Sequence, residues 1–183
     1  MSAKGDMYYA WTKSDIKGEC GGAVISLLKY ALENKIVDVV LTVQKGIDIY
    51  DPKPVFITNP ADLDACAGSL HCGTLLLPKL IKKYLNGAKD IKVAVTCKGC
   101  DAKALLEIGK RQQINLDNVI SIGLNCGGSV SPMPACRMIR EKYGVNPDDV
   151  VDDDSDKGKL SIKTKDGDTK CRSRSGHEET RYG

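Results

Sequence analysis

Aromatic residues are scarce in this 183-residue chain, which contains a single tryptophan and a single phenylalanine. So few rings weaken any interpretation as a protein that stacks nucleic-acid bases. The charge is also nearly balanced, with a net value of +3, so charge alone favours neither a nucleic acid nor a membrane surface as partner. Together these two features predict a protein with no nucleic-acid partner.

Long apolar runs are missing as well. The N-terminal segment MSAKGDMYYAWTKSD contains no apolar run like that of a signal peptide, and no later stretch is long enough to span a bilayer. We therefore expect a cytoplasmic protein with no membrane span. Because cytosolic thiols are normally kept reduced, the eight cysteines of the chain need an explanation other than disulfides.

Apolar periodicity predicts an α/β fold. An amphipathic helix is predicted directly after Gly21 and Gly22, and a second one over residues 74–85. Runs rich in β-branched residues predict strands over 36–43, 54–58, 91–96 and 119–124. This alternation favours a mostly parallel or mixed sheet with flanking helices and with cysteine-bearing loops at the carboxyl ends of the strands.

The C-terminal part of the sequence differs from the rest in composition and in apolar periodicity. A helix is predicted over residues 135–143, followed by the acidic stretch VNPDDVVDDDSDKGK, which we expect to be a solvated loop. The segment LSIKTKDG is expected to form one arm of a hairpin whose partner is not evident. Residues 169–183 have no apolar periodicity, so a disordered or aberrant tail is expected there, after a single α/β region over residues 1–168.

Two cysteines lie where a predicted strand meets a predicted helix, in the segment VAVTCKGCDAKALLE. Cys97 and Cys100 are separated by Lys98 and Gly99, and Cys126 follows the next strand. One right-handed crossover returns neighbouring parallel strands to the same edge of a sheet, so we expect these three thiols to converge there. We also expect Gly99 to permit the tight turn and the helix N-terminus to favour the thiolate form.

Four kinds of cysteine chemistry are open at this edge. An iron–sulfur cluster takes four thiolates, and Cys-x-x-Cys is the spacing at which one turn supplies two of them. A structural zinc site takes four protein ligands and leaves no coordination position open. A thioredoxin-like dithiol needs only Cys-x-x-Cys and would leave Cys126 without a role. The fourth alternative is burial of small apolar residues. The residues favour the cluster without excluding the other three.

Other candidate residues have structural interpretations beside functional ones. The glycine pair that opens the first helix suits either an anion or flavin-phosphate site or a tight backbone turn. Cys66 and Cys72 are expected to be small buried residues rather than ligands, and Cys136 is expected to be structural within a helix. His71 is interpreted as a hydrogen-bonded polar side chain rather than as a catalyst.

The chain resembles the β subunit of methanogen formate dehydrogenase in four segments, GECGGAVISLLKYALENKIVDVVLTV, ACAGSLHCGTLLLPKLIKKY, VAVTCKGCDAKALLE and DNVISIGLNCGGSVSP. The same family includes the β subunit of the hydrogenase that reduces coenzyme F(420), a deazaflavin. The resemblance spans about residues 8–167. It implies an oxidoreductase subunit that carries electrons through FAD and 4Fe-4S clusters. The electrons would pass between coenzyme F(420) and a formate-oxidising α subunit with a molybdenum or tungsten pterin.

The resemblance also implies roles for particular residues. Cys97, Cys100 and Cys126 match cysteines that would bind an iron–sulfur cluster. Positions that would contact FAD or coenzyme F(420) are Gly21, Gly22, Ala23, Gly68, Ser69 and Lys98. Basic side chains suit coenzyme F(420), whose phosphate and glutamate tail are acidic. The resemblance identifies no catalytic residue, and it implies a heterodisulfide reductase-type complex as a further partner.

The sequence departs from the family near its C-terminus. Family members continue beyond the LSIKTKDG position with a further cysteine-rich segment, whereas this sequence ends in CRSRSGHEETRYG. We therefore expect a truncated electron-transfer subunit that is incomplete alone. The alternative, from another class, is a non-catalytic fragment or assembly module whose cysteines are structural.

Overall fold

The computed structural model describes residues 21–66, 70–73, 75–156, 159–167 and 169–173. The α-helices within these ranges are α1 (Gly21–Glu33), α2 (Pro78–Tyr84), α3 (Gly99–Lys110) and α4 (Pro132–Met138). The strands are β1 (Val39–Lys45), β2 (Pro52–Ile57), β3 (Val93–Cys97), β4 (Val119–Gly123), β5 (Val150–Asp156), β6 (Lys159–Thr164) and β7 (Thr169–Ser173). None of the helices in this described part is long and apolar enough to cross a membrane.

A four-stranded mixed sheet with the strand order β2-β1-β3-β4 forms the larger part of the fold. Strands β1, β3 and β4 run parallel, and β2 pairs antiparallel with β1. Helix α3 makes the crossover between β3 and β4, so both strands end at the same edge, where Cys97 pairs with Gly123. The predicted α/β fold with a mixed sheet and flanking helices is confirmed.

Alternating side chains of the central strands divide the core between the two faces of this sheet. Leu41 of β1 packs on one face in a buried cluster with Ile81 of α2 and Leu105 of α3. Its neighbour Val40 packs on the opposite face with Leu28 of α1. Every residue of β3 is buried, as expected of a strand that is covered on both faces.

The helices follow the predicted order but begin at different residues. Helix α2 begins at Pro78 rather than at residue 74, because proline fits the first turn of a helix and would disrupt an interior turn. Helix α4 likewise begins at Pro132, before the predicted residue 135, and continues through a π-helical turn, Ile139–Tyr143. Gly144 ends this turn in the left-handed region with a φ of 62°, a conformation that glycine adopts without strain.

A smaller antiparallel sheet with the order β5-β6-β7 follows α4. The prediction of a solvated loop is wrong for the acidic stretch, because β5 pairs with β6 from Val150 to Asp156. Strand pairing uses the main chain, and side chains alternate between the faces, so Asp153 is buried while Asp152 is exposed. The segment LSIKTKDG contributes β6, and its partners are β5 on one side and β7 on the other.

The expected C-terminal tail is wrong for residues 169–173, which form β7 and pair with β6. Ladder hydrogen bonds come from the main chain, so an edge strand can form without the apolar periodicity that the sequence analysis sought. Residues 174–183 lie outside the described residues. For them the tail stays a prediction, as does the division of the chain after residue 168.

The two sheets pack against each other through α4 and the loop between β1 and β2. Ile139, at the end of α4, and Ile162 of β6 share a fully buried cluster with Ile49 of that loop. The hydroxyl of Tyr50 donates a hydrogen bond to the carbonyl of Pro147 at 3.1 Å, directly before β5. The acidic strand is therefore attached to the larger sheet by apolar packing as well as by hydrogen bonding.

Candidate functional site

The turn between β3 and α3 contains the Cys-x-x-Cys pair. Cys97 is the last residue of β3 and is buried, whereas Cys100 is the second residue of α3 and is exposed. Lys98 precedes the helix in an extended conformation, with a ψ of 168°. Gly99 has no left-handed φ, and a Cβ added to it would meet nothing within 4 Å. Gly99 therefore adopts no conformation that only glycine allows, and the extended Lys98 before it makes the change of direction.

The thiol of Cys97 is held in its protonated form by its surroundings. Its pKa is raised to about 12, first by burial and then by the negative charges of Asp101 and Cys100. The side chain of Cys97 packs in the apolar cluster that includes Leu105, which separates the thiol from solvent. Cys97 is thus a neutral thiol at neutral pH in this conformation.

Asp101 is a fully buried carboxylate that the sequence analysis did not identify. Its Oδ2 accepts a hydrogen bond from the amide of Lys98 at 3.1 Å, and its Oδ1 accepts one from the amide of Leu77 at 3.3 Å. These amides lie at the starts of α3 and α2, where free N–H groups and the helix dipoles favour a negative charge. The sequence did contain a signal for this role. Asp101 stands three positions after Lys98, the residue before the predicted helix, and an acidic side chain at that position often accepts a hydrogen bond from the amide of the preceding residue.

The third candidate, Cys126, lies in the loop that follows β4. The amide of Leu124 donates to the carbonyl of Cys97 at 2.8 Å, which fixes the start of this loop beside the Cys-x-x-Cys turn. The Cys126 side chain is exposed, and its Sγ accepts a hydrogen bond from the amide of Gly128 at 3.4 Å. The loops that carry Cys97, Cys100 and Cys126 therefore leave neighbouring strands at the same edge of the sheet.

These cysteines have the chemistry of iron–sulfur ligands, because such clusters are held by thiolates. The side chains are not arranged as a complete metal site. In the described part of the chain no group of three or more His, Cys, Asp or Glu side chains is placed to hold a metal ion. The burial of Cys97 and the exposure of Cys100 explain part of this difference. The assignment of Cys97, Cys100 and Cys126 as ligands stays a prediction.

A small cavity of about 20 Å³ opens beside this turn, at the carboxyl edge of the larger sheet. Apolar residues of β1, β2 and the loops form most of its wall, and its polar lining comes from Thr96, Lys98 and Asp101. The Thr96 hydroxyl lies 3.3 Å from that of Thr42 in the buried layer below. A mostly apolar pocket with a few polar groups, at the carboxyl ends of parallel strands, is the usual form of a cofactor or substrate site in such sheets.

Two family models match this chain. The model described as coenzyme F(420) hydrogenase/dehydrogenase, beta subunit N-term, matches residues 7–82, and the corresponding C-terminus model matches residues 90–182. The chain belongs to the coenzyme F(420) hydrogenase/dehydrogenase beta subunit family. The resemblance seen in the four sequence segments is thereby confirmed, and both candidate loops, with Cys97 and Cys126, lie within the C-terminal match.

Named relatives are similar to the chain over most of its length. It is 51% identical over 165 residues to the F(420)-dependent formate dehydrogenase 1 subunit beta of Methanococcus maripaludis, covering 88% of this chain and 42% of that protein. It is 53% identical over 155 residues to the F(420)-dependent formate dehydrogenase subunit beta of Methanocaldococcus jannaschii, covering 85% of this chain and 40% of that protein. The chain thus spans about two fifths of the length of these relatives.

A solved structure shares the fold. A chain of the F(420)-reducing NiFe hydrogenase complex from Methanosarcina barkeri superposes with a TM-score of 0.70 at 20% sequence identity, covering 88% of this chain and 57% of that chain. At this identity the likeness concerns the arrangement of strands and helices. It supports the mixed sheet and the attached smaller sheet as the architecture of this family.

The glycine-rich start of α1 lies apart from the cavity. Gly21 and Gly22 open the helix, with Gly22 buried and Ala23 half-buried, and α1 packs on the sheet face opposite to α2 and α3. Because a short connection leads from α1 into β1, the helix runs antiparallel to that strand and begins near its carboxyl end. The cavity lining does not include these three residues. Gly68 and Ser69 lie outside the described residues.

The other described cysteines are buried or half-buried, and their structural role stays a prediction. Cys66 and Cys72 are buried, and burial raises the pKa of the Cys66 thiol to about 11, with a smaller contribution from Asp62. Cys136 lies in α4 and is half-buried. The structure says nothing of the side chains of Cys20 and Cys171, which lie outside the parts described in full.

His71 and Asp153 form a contact that the sequence analysis missed. The His71 Nδ1 lies 3.6 Å from the Asp153 Oδ2, and the carboxylate is fully buried. The main chain of His71 is also fixed, because its carbonyl accepts a hydrogen bond from the amide of Val130 at 2.8 Å. The loop before the cavity residue Gly73 is therefore attached both to β5 and to the loop that carries Cys126. The interpretation of His71 as a polar side chain with partners agrees with this arrangement.

Proposed function

We propose that this chain is the electron-transfer subunit of an F(420)-dependent formate dehydrogenase, or the part of such a subunit that its residues represent. The observation that carries the proposal is the identity of 51% and 53% to two proteins named as beta subunits of that enzyme. Formate itself would be oxidised on a separate α subunit with a molybdenum or tungsten pterin. A heterodisulfide reductase-type complex is a further proposed partner.

The cavity beside the β3–α3 turn is the proposed place for part of a flavin or deazaflavin. Its volume of about 20 Å³ holds about one water molecule, so the loops around it would have to separate before part of a ring system could enter. Leu70, Leu75 and Leu77 supply apolar walls for a ring system. Bound FAD would supply the conversion between two-electron and one-electron transfer that links coenzyme F(420) to a cluster.

The residues around this cavity have distinct tasks in the proposal. The Lys98 ammonium favours binding of an anionic group and favours negative charge on a reduced ring. Asp101 holds the starts of α2 and α3 in place through its two amide hydrogen bonds, which fixes the direction in which Lys98 leaves the turn. The apolar side chains exclude water from the space above Thr96.

The proposal assigns 4Fe-4S ligands to Cys97, Cys100 and Cys126 on the basis of thiolate chemistry and of their shared edge. In the described residues the three side chains are not gathered around one point, so we derive no electron path through a cluster. The start of α1, at Gly21, Gly22 and Ala23, is proposed to contact the phosphates of FAD, since free amides at a helix N-terminus attract anions. Gly68 and Ser69 are proposed to contact a cofactor from the loop beyond the described residues.

A second candidate is a non-catalytic assembly module with structural cysteines. The burial of Cys97 within an apolar cluster favours this alternative, because small buried cysteines commonly serve as packing residues. Visible absorption of the anaerobically purified chain, after reconstitution with iron, sulfide and FAD, separates the two. Flavin and iron–sulfur bands are expected for the electron-transfer subunit. A colourless protein would favour the assembly module.

A further inference from the structure

An exposed aromatic pair lies on the surface between β2 and α2. The rings of Phe56 and Tyr84 are 6.0 Å apart between centroids with an interplanar angle of 70°, which is the edge-to-face geometry that aromatic rings prefer. Phe56 is 38% exposed and Tyr84 is 58% exposed. Each ring fixes the other while both remain open to solvent, so the pair is a preformed apolar surface with little side-chain entropy left to lose on binding.

The helix that carries Tyr84 is rich in lysine. Helix α2, with the sequence PKLIKKY, contains three lysines and no acidic residue, and Lys79, Lys82 and Lys83 are all exposed. The Lys83 Nζ lies 4.8 Å from the centroid of the Tyr84 ring, so its charge stands directly beside the aromatic pair. Lys79 precedes Lys83 by four residues on the same face of the helix, whereas the Lys82 Nζ donates a hydrogen bond to the Oε1 of Gln113 at 2.8 Å. We name Phe56, Tyr84, Lys79 and Lys83 the α2 patch. An aromatic centre with charged residues around it is the usual composition of a protein-binding surface.

The edge of the larger sheet next to this patch is unsuited to binding a partner as an additional strand. β2 lies at the edge of the larger sheet and contains Pro52 and Pro54, which have no amide hydrogen to donate to a further strand. A partner at this edge would therefore bind the side chains of the α2 patch rather than extend the sheet. Its surface would need apolar groups opposite the two rings and carboxylates opposite the lysines.

Helix α2 connects this patch to the candidate cofactor cavity. The helix begins beside Leu77, which lines the cavity and donates its amide to Asp101, and it ends at Tyr84. Seven residues at about 1.5 Å each give a length of about 10 Å. We propose that the α2 patch is the docking surface for an acidic face of the formate-oxidising α subunit; this inference rests on the proposed function. Docking there would place the partner one short helix away from the cavity.

The test measures binding of the 183-residue chain to the purified α subunit of the Methanococcus maripaludis enzyme, by biolayer interferometry at two ionic strengths. The unaltered chain is expected to bind, with an association rate that falls as salt is raised. The double variant Lys79→Glu/Lys83→Glu should raise the Kd at least about tenfold, and Tyr84→Ser should raise it through faster dissociation. The matched control is Lys103→Glu/Lys110→Glu, which reverses two exposed charges on α3 and should leave the Kd within about twofold.

The outcomes separate this inference from the proposed function. If the unaltered chain binds the α subunit and the α2 variants bind equally well, the docking surface is wrong while the proposed function stands. If the unaltered chain does not bind the α subunit at all, both are wrong. Tighter binding of the unaltered chain to duplex DNA or to anionic lipid vesicles than to the α subunit would also overturn the assignment of a protein partner. Circular dichroism melting curves of each variant show that a loss of binding is not a loss of folding.

Discussion

The carboxylate of Asp101 accepts a hydrogen bond from the amide of Leu77 at 3.3 Å, and this contact joins the starts of two helices that are far apart in sequence. The same carboxylate accepts the amide of Lys98. One buried charge thereby accepts hydrogen bonds from the amides that precede α2 and α3, and Leu77, Lys98 and Asp101 all line the candidate cavity. The position of Lys98 at the cavity depends on a residue that takes no part in the cysteine motif.

Replacement of Asp101 by alanine should lower the free energy of unfolding by about 2–4 kcal/mol, because two buried amides lose a charged acceptor. Urea unfolding followed by circular dichroism measures the change. Asp90→Ala, at an exposed position, is the control and should change stability by less than about 0.5 kcal/mol. Equal stability of the Asp101 and Asp90 variants would show that the two amide contacts contribute little.

Asp101→Asn should make Cys97 ionise at lower pH. The negative charge of Asp101 is the second cause of the raised pKa of this thiol after burial, and the amide keeps the shape of the side chain while removing the charge. The pH dependence of the alkylation rate of Cys97, followed by peptide mass spectrometry in the unaltered chain and the variant, gives the shift. If the pH dependence of alkylation is the same in the variant, burial alone holds the thiol protonated.

Stability should decrease as the pH rises above about 9. The pKa of Cys97 is raised from the ordinary value of 9.0 to about 12 in the folded chain. Below pH 9 both states keep the proton and the full contribution to stability is present. Above it the unfolded chain releases the proton while the folded chain retains it, so the free energy of unfolding falls until the pH approaches 12.

Urea unfolding at pH 8 and pH 10.5 tests this dependence, with Cys97→Ala as the comparison. In the variant the free energy of unfolding should fall less between these two pH values. The fall that remains is expected to include a contribution from Cys66, whose pKa is raised to about 11. The same decline in both proteins would contradict the assignment to Cys97.

Replacement by alanine should lower the free energy of unfolding much more at one glycine than at another. Gly87 has a φ of 67°, and a Cβ there would lie 2.3 Å from the carbonyl oxygen of Gln113, so Gly87→Ala should cost more than about 2 kcal/mol. Gly99 begins α3 with open space around the missing Cβ, so Gly99→Ala should change the unfolding free energy by less than about 1 kcal/mol. Thermal unfolding of both variants measures the difference. A large loss in Gly99→Ala would restore the interpretation of a turn that requires glycine.

The iron ligands can be tested in a complete homologous subunit. Cys97→Ser and Cys100→Ser should each lower the bound iron after reconstitution while leaving part of the flavin bound, because the two cysteines share one turn. Cys136→Ser is the matched variant on α4 and should retain the iron. Iron content by atomic absorption and flavin content by visible absorption are measured on the same samples. Unchanged iron in both turn variants, or an equal loss in Cys136→Ser, would refute the ligand assignment.

The order of strands and helices in the larger sheet followed from local patterns. β-branched runs marked β3 and β4, and helical spacing marked α1 and α3, because both signals repeat over a few residues and depend on burial of one face. The shared edge of Cys97 and Cys126 also followed, since a right-handed crossover leaves few alternatives for consecutive parallel strands.

The smaller sheet could not be read from the sequence in the same way. The segment from Val150 to Asp156 carries four aspartates and has almost no apolar alternation, yet it forms β5 because β6 supplies main-chain partners on both sides of an irregularity between Val150 and Asp152. Which of these aspartates is buried depends on the register of the strand and on the position of His71, which comes from a loop more than eighty residues earlier.

The motif Cys97–Cys100, the start of α1 and the family resemblance were thus determined by the sequence itself, because each is carried by adjacent residues. The tertiary structure decided the protonation of Cys97, the central position of Asp101 and the surface formed by Phe56 and Tyr84. The physical reason is that burial, charge and ring contact depend on groups that meet only after the chain has folded. A thiol that the spacing marks as a reactive ligand is, in the folded chain, a neutral group in an apolar core.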